Sequence, residues 1–381
     1  MKKIVIIGAG FAGLEAARVF ASSRPKTEVT LIDRETTSDF LPLLPDVIGG
    51  RMAVSAIQYP ISPFCVSRGI RFVNSEVKDV DVNGNRVVCA QEHIPYDYLL
   101  VASGSDTNFF GDSAMSSGSF KLDNSKDAAV IDERLSSGDF KNCIVAGGGY
   151  TGIEIATHIR QRFRNSSSQP RIIIVELSSQ ILGNVPGWMR SYAAANLDSM
   201  NIEPLTGTKI ESIEGSNLTL SDGSAFSSAV PIWSAGVKVE GFPGNIEKDR
   251  AAQGRLPVGS DLCVKDNIFA AGDVAGFMYR GEPLRMAVQF SIIQGRHAAK
   301  NILRNMQGLP MKAYRPLDLG FIVPMANWRS CGFVFNARVR GRLCSLLHYL
   351  LCVYRSQSLP LKGQVLRRLA WGSGKERISN G

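Results

Sequence analysis

The stretch Ile4-Val5-Ile6-Ile7-Gly8-Ala9-Gly10-Phe11-Ala12-Gly13 decides the fold. Four successive β-branched apolar residues read as a strand buried on both faces, the kind found in parallel sheets. The glycines that follow are spaced for three tasks. Gly8 makes the tight turn, Gly10 lets a pyrophosphate approach the backbone, and Gly13 lets the next helix pack closely on the strand. Leu14-Glu15-Ala16-Ala17-Arg18-Val19-Phe20 then continues at helical periodicity, so the phosphate sits at a positive helix N-terminus. A second strand, Glu28 to Ile32, ends in Asp33, where an acid accepts hydrogen bonds from a ribose 2′-hydroxyl.

The pattern recurs further along the chain. Asn142-Cys143-Ile144-Val145-Ala146 reads as a strand, Gly147-Gly148-Gly149-Tyr150-Thr151-Gly152 as the turn, and Ile153-Glu154-Ile155-Ala156 opens a helix. Gly147, Gly149 and Gly152 take the places of Gly8, Gly10 and Gly13. The next strand, Arg171 to Val175, ends in Glu176, whose carboxylate favours the free 2′-hydroxyl of NADH and repels the 2′-phosphate of NADPH. Arg160, Arg162 and Arg164 on the intervening helix read as a solvated face. Two turns imply two dinucleotides, and a hydride donor with a flavin acceptor is the economical pairing.

The chain has 381 residues, which calls for two domains rather than one core. Its seven cysteines are dispersed, with no CxxC pair and no histidine at metal-ligand spacing, so reduced thiols in a cytoplasmic setting and no metal site are expected. Met1-Lys2-Lys3 leads straight into the first strand, leaving no room for a secretory signal, and no apolar run is long enough for a membrane span. The formal charge of +9 is local. From Leu319 onward ten basic residues face a single acid, Glu376, which accounts for the whole excess.

These residues resemble the FAD/NAD(P)-binding pyridine-nucleotide oxidoreductases. Tyr96 to Gly104 looks like the crossover leaving the FAD domain, and Trp233-Ser234-Ala235-Gly236 like the return. Asn267 to Val274, with Gly272 and Asp273, is similar to the second FAD motif, whose acid bonds the ribityl chain. The resemblance implies an α/β fold of two Rossmann-like domains, the NADH domain (111–239) inserted in a discontinuous FAD domain (1–110 and 240–318). The disulfide-reducing branch needs a cysteine pair soon after the first acid. Phe40-Leu41-Pro42-Leu43-Leu44-Pro45-Asp46 has none, which excludes a disulfide relay. The closest branch is the type II, non-electrogenic NADH:quinone oxidoreductases. In that branch Glu154 follows the second glycine turn, and Ala287-Val288-Gln289-Phe290-Ser291-Ile292-Ile293-Gln294-Gly295 aligns with a quinone-site segment that usually reads AQxAxQ. Gln289 and the small Ser291 fit; Val288 and Ile293 depart, with Gln294 one residue late.

The implied assignments are FAD on Gly8, Gly10, Gly13, Asp33, Gly272 and Asp273, and NADH on Gly147, Gly149, Gly152 and Glu176. Gln289 would orient a quinone carbonyl, and Glu154 would relay a proton or complement its helix dipole. Sulfide:quinone-type chemistry and an apoptosis-inducing-factor-like, slowly turning NADH-responsive flavoprotein stay open as alternatives. Cys331 has no evident partner for the former and reads as a structural thiol; His158 and His297 read as packing or surface residues. Residues 319–381 read as a basic amphipathic segment. Leu343 to Tyr354 and Val365 to Trp371 interleave leucines, aromatics and arginines as interfacial helices do. A peripheral enzyme at the inner face of the cell membrane is expected, without nucleic acid and compatible with a homodimer.

Overall fold

Ile4 to Ile7 carry no polar residue because both faces of their strand are covered, as the computed structural model shows; it describes residues 1–23, 27–239 and 246–371. The elements that position the site begin with strand β1 (Lys3–Ile7), helix α1 (Phe11–Ala21), strand β2 (Glu28–Asp33), helix α2 (Leu44–Ile48) and strands β3 (Arg71–Asn74) and β4 (Tyr98–Val101). Strands β5 (Phe120–Lys121) and β6 (Asn142–Ala146), helix α3 (Tyr150–Arg162), strand β7 (Arg171–Glu176), helix α4 (Gly187–Ser199) and strands β8 (Ile202–Thr206) and β9 (Ala229–Trp233) follow. Then come β10 (Cys263–Lys265), β11 (Ile268–Ala270), α5 (Val288–Met306), β12 (Gly320–Val323), β13 (Cys331–Val334), β14 (Ala337–Arg340), α6 (Arg342–Arg355) and α7 (Leu359–Trp371).

The chain groups into two compact units. One comprises Met1–Ser38, Pro60–Asp106 and Val237–Asp318; the other comprises Asp39–Tyr59, Thr107–Gly236 and Leu319–Gly381. In the first, the sheet order is β10-β11-β4-β1-β2-β3, parallel except for the β10–β11 pair. Helix α5 lies against α1 at backbone contact: a Cβ at Gly295 would stand 2.1 Å from the Ala12 carbonyl oxygen. The Arg296–Glu15 ion pair, 2.6 Å, ties the same two helices.

The second unit repeats the architecture with the parallel order β5-β9-β6-β7-β8. The fold class is therefore α/β with two Rossmann-like sheets. The C-terminal residues, expected as a separate docking segment, group with this unit. They form an antiparallel meander, β12-β13-β14, followed by α6 and α7. Cys344, Tyr349, Cys352, Leu361 and Val365 are buried, so one face of each tail helix belongs to a core. Lys375, Glu376 and Arg377, and the side chain of Trp371, lie outside the described residues.

Candidate functional site

In the first unit the three glycines divide the labour as their spacing predicts. Gly8 holds φ +98°, and a Cβ there would sit 2.3 Å from the Ala102 carbonyl oxygen; a Cβ at Gly13 would sit 1.8 Å from that of Gly8. Both are required by the protein's own packing. Gly10 is not: a Cβ there would meet nothing within 4 Å. Its backbone faces open space at the start of α1, leaving room for a phosphate at the helix N-terminus. Asp33 is held by the turn it serves, its Oδ2 accepting from Ala9 N at 2.6 Å and its Oδ1 from Glu35 N at 2.8 Å. Each oxygen keeps a lone pair for a ribose hydroxyl. Burial pushes its carboxyl above the usual range, with those two amides opposing.

Asp273 is anchored alongside. Its carboxylate accepts from Ser105 Oγ at 3.2 Å and Ser291 Oγ at 3.3 Å, while Arg255 Nε donates to its carbonyl at 3.1 Å. Burial raises its pKa too. Gly272, at φ +83°, brings this second motif against Ala12 of the first, because a Cβ there would be 3.2 Å from Ala12 Cβ. These six residues thus form one site, and its open backbone, acids and hydroxyls fit FAD.

The second unit reproduces the geometry. A Cβ at Gly152 would stand 1.8 Å from the Gly147 carbonyl oxygen, and one at Gly149 would meet nothing within 4 Å. Glu176 mirrors Asp33, its Oε2 accepting from Gly148 N at 2.7 Å and its Oε1 from Ser178 N at 2.8 Å. An open turn backed by a carboxylate fits NADH.

The remaining candidates differ in part from the sequence reading. Gln289 lies in the first turn of α5, buried, its Nε2 donating to Asp318 Oδ1 at 3.2 Å. Gln294 is engaged elsewhere: its buried Oε1 accepts from Gly272 N at 2.8 Å, so it locks the flavin motif. Glu154 lies just past the first turn of α3, which holds no acid, and is half-buried. Burial, reinforced by the charge of Asp46, raises its carboxyl well above the usual range. The solvated-face reading is corrected for Arg160 and Arg162, whereas Arg164 is exposed. Arg160 is buried, donating to the carbonyls of Pro170 at 3.2 Å and Asn201 at 2.7 Å, and Arg162 pairs with Asp132. Both carbonyls directly precede strands, β7 and β8, and the guanidinium's several donors satisfy them together.

Residues 2–300 match the pyridine nucleotide-disulphide oxidoreductase family. The chain belongs to it. Among this family's members, the type II NADH:quinone oxidoreductase of Staphylococcus haemolyticus is 25% identical over 380 residues, covering 91% of this chain and 93% of that protein. The Staphylococcus aureus (strain MW2) protein of the same name is also 25% identical, with the same coverage. Among solved structures, NDH2 from Plasmodium falciparum in complex with NADH superposes with a TM-score of 0.87 at 17% identity, covering 99% of this chain and 100% of that one. The sulfide:quinone oxidoreductase of Aquifex aeolicus gives 0.80 at 17%, covering 93% and 90%. Both agree in fold. Unlike the family's disulphide-reducing members, this oxidoreductase has only free thiols. Cys331 is buried on β13, its thiol pushed up to about 12 by burial, an inert packing residue.

One feature of this family member escaped the sequence reading: a buried ionic cluster behind Glu154. Asp46, fully buried on α2, accepts at Oδ1 from Tyr349 Oη at 3.1 Å and is ion-paired with Arg368 of α7. Its Oδ2 faces His158 Nε2 at 3.5 Å. Burial alone would push the Asp46 carboxyl up, but Arg368, His158 and Arg51 outweigh it and hold it well below the usual range. Arg368 also stacks on the Tyr349 ring, 4.8 Å from its centroid. The one signal in the sequence was His158 four residues after Glu154, which puts both on one helix face. Nothing local linked either to Asp46 or Arg368, more than a hundred residues away. Among the described residues there is no cluster able to hold a metal ion and no helix long and apolar enough to cross a membrane.

Proposed function

We propose that this oxidoreductase takes a hydride from NADH onto FAD and hands two electrons to a quinone at a membrane surface. The observation that carries the reading is the duplicated turn in which two of three glycines serve the fold and the third faces open space, each backed by an acid. FAD, when bound, supplies the two-electron chemistry, and the chain supplies position and electrostatics. Gly10, Asp33 and Asp273 bind and orient it; Gly149 and Glu176 bind NADH and disfavour a 2′-phosphate.

The quinone assignment is supported by the name shared by relatives at 25% identity and by the absence of a cysteine pair. Gln294 is engaged at Gly272, and Gln289, anchored through its Nε2 to Asp318, is the α5 amide assigned to orient a quinone carbonyl. Forming a quinol takes two protons, and the hydride brings one. Glu154, whose carboxyl burial and the Asp46 charge raise well above the usual range, is suited to relay the second. Docking is supported by α6, whose Leu343, Leu346, Leu350 and Tyr354 are exposed along one stripe, in a segment that also carries Arg338, Arg340 and Arg342. Such an enzyme would sit peripherally on the inner face of the cell membrane and move no charge across it.

Anaerobic titration with NADH, followed by a panel of acceptors, tests the reading. NADH should bleach the flavin, and a soluble quinone should restore its absorbance within the turnover time. A reduced flavin that quinone leaves untouched while sulfide chemistry proceeds would move the chain to the sulfide-oxidising branch.

A further inference from the structure

His158 belongs to neither dinucleotide turn, and it is buried at 1% exposure against an Asp46 at 0%. Burying an imidazole beside a carboxylate costs free energy unless both are satisfied. The packing is made for the ring. A Cβ at Gly49, just past α2, would stand 3.1 Å from His158 Cδ2, so the glycine leaves the imidazole its room.

The contacts of the ring set opposed demands on its protonation. Nδ1 lies 2.8 Å from the Glu154 carbonyl oxygen, which can only accept, so Nδ1 donates. A neutral ring then carries a lone pair at Nε2, and that lone pair faces Asp46 Oδ2 at 3.5 Å. The other tautomer only moves the conflict, since a bare Nδ1 would face the carbonyl oxygen. A second proton gives each nitrogen a hydrogen to point at an oxygen. Burial acts the other way: it outweighs the Asp46 carboxylate and, with Arg51, leaves the ring's pKa below its ordinary value.

Glu154 resolves the conflict. It lies one helical turn before His158, and helical side chains lean toward the N-terminus, so the two stand one above the other on one face of α3. Glu154 is half-buried, but its Oε1 is shielded from solvent and has no hydrogen-bond partner among the described residues; the same holds for Asp46 Oδ2 and His158 Nε2. A proton on Glu154 with a neutral ring carries the same net charge as an ionised Glu154 with an imidazolium. Moving the proton between them therefore adds no net charge to a buried site that already holds Asp46, Arg51 and Arg368. The other groups facing the pair, on α6, do not compete for it. Burial lowers His348 to about 4 and raises Tyr349 and Cys352, so all three are neutral near pH 7.

We propose that Glu154 and His158 share one proton, with Asp46 as the positioning residue that holds the imidazole for it. This rests on the proton role proposed for Glu154 and adds the group that reloads it. When the Glu154 O–H bond breaks and its proton goes to the second quinone oxygen, the new carboxylate draws the proton from His158 Nε2. The ring is left neutral and takes its next proton from solvent, so one proton enters for each one delivered. Side chains one turn apart are within reach of transfer through a single water.

The test uses full-length holoenzyme carrying isotope-labelled histidine, in which only four imidazoles report by nitrogen NMR and H158Q identifies the signal. A shared proton leaves the ring partly protonated over a broad range, about pH 6 to 8, rather than along a single sigmoid. In E154Q the ring should be neutral across that range, because the carboxylate that balances the imidazolium is gone. A wild-type ring that stays neutral throughout, or one that titrates identically in E154Q, overturns the proposal. In stopped flow, NADH-reduced protein is mixed with a soluble benzoquinone. H158Q should slow flavin reoxidation at least about tenfold more than it slows flavin reduction, and the alkaline fall in the reoxidation rate should begin at lower pH. A loss of equal size at every pH would make His158 a packing residue and overturn the relay. If E154Q reoxidises at the wild-type rate, the proton role of Glu154 itself fails, a result on which the imidazole signals do not depend.

Discussion

Replacing Arg368 by methionine keeps most of the side chain's bulk on α7 and removes the cation facing Asp46. The carboxylate is fully buried, so water cannot take over. Its Oδ1 would keep one neutral donor, Tyr349 Oη at 3.1 Å, and its Oδ2 would still face His158 at 3.5 Å. Breaking a buried pair from one side costs about 3–5 kcal/mol, because an uncompensated charge stays behind. For a unit of about 200 residues that is roughly a 10 °C fall in Tm. The double variant D46N/R368M removes both charges and should recover more than half of the loss. The sign of the pH effect follows from the depressed Asp46 carboxyl. Its contribution is fully present above the unfolded carboxyl value of about 4 and is lost as pH falls through the lower folded value. Urea midpoints between pH 5 and 3 should therefore fall faster for wild type than for D46N. Thermal melts and urea midpoints of the three proteins are the assay. A loss under about 1 kcal/mol for R368M, or a double variant no better than the single, would refute the idea of a buried charge held by this partner.

Three further outcomes follow from the site. Valine at Gly10 or Gly149 enters open space, so Tm should stay within a few degrees while FAD content falls for G10V and KM for NADH rises at least about tenfold for G149V; G13A, whose Cβ would press on the Gly8 carbonyl, should instead fail to fold, as expression and circular dichroism would show. E176Q retains an oxygen able to accept from Gly148 N but sheds the charge that repels a 2′-phosphate, so the ratio of kcat/KM for NADPH to that for NADH should rise roughly tenfold or more in steady-state assays. Q294L strands the buried Gly272 amide at a cost of about 1–3 kcal/mol, and FAD should be lost more readily on dilution, measured by released fluorescence; an unchanged melt and unchanged retention would return Gln294 to the role of a filler.

The two glycine turns and the acids behind them were legible because their physics is local. A glycine needed for a tight turn, a close helix contact or a phosphate approach is needed within a dozen residues of its strand, and the acid at the next strand end is fixed by the same unit. Gly8 to Asp33 and Gly147 to Glu176 therefore read directly from spacing, down to the carboxylate that each turn grips. The alignment around Gln289 was less secure for a physical reason. A helix repeats every 3.6 residues, so shifting a glutamine by one position turns it by 100°, and the fold sends Gln294 to Gly272.

Sequence alone thus determined the α/β class, the two dinucleotide turns, the preference for NADH and the concentration of positive charge after Leu319. Only the tertiary structure decided how that charge is used. Arg368, one of two adjacent arginines in an amphipathic helix, turns inward to Asp46, while Arg342 and Arg329 line an open cleft with Arg164. Burial is a property of the packed chain: the helical pattern says which residues share a face, but partners hundreds of residues away determine whether a guanidinium meets a carboxylate, a carbonyl or the solvent.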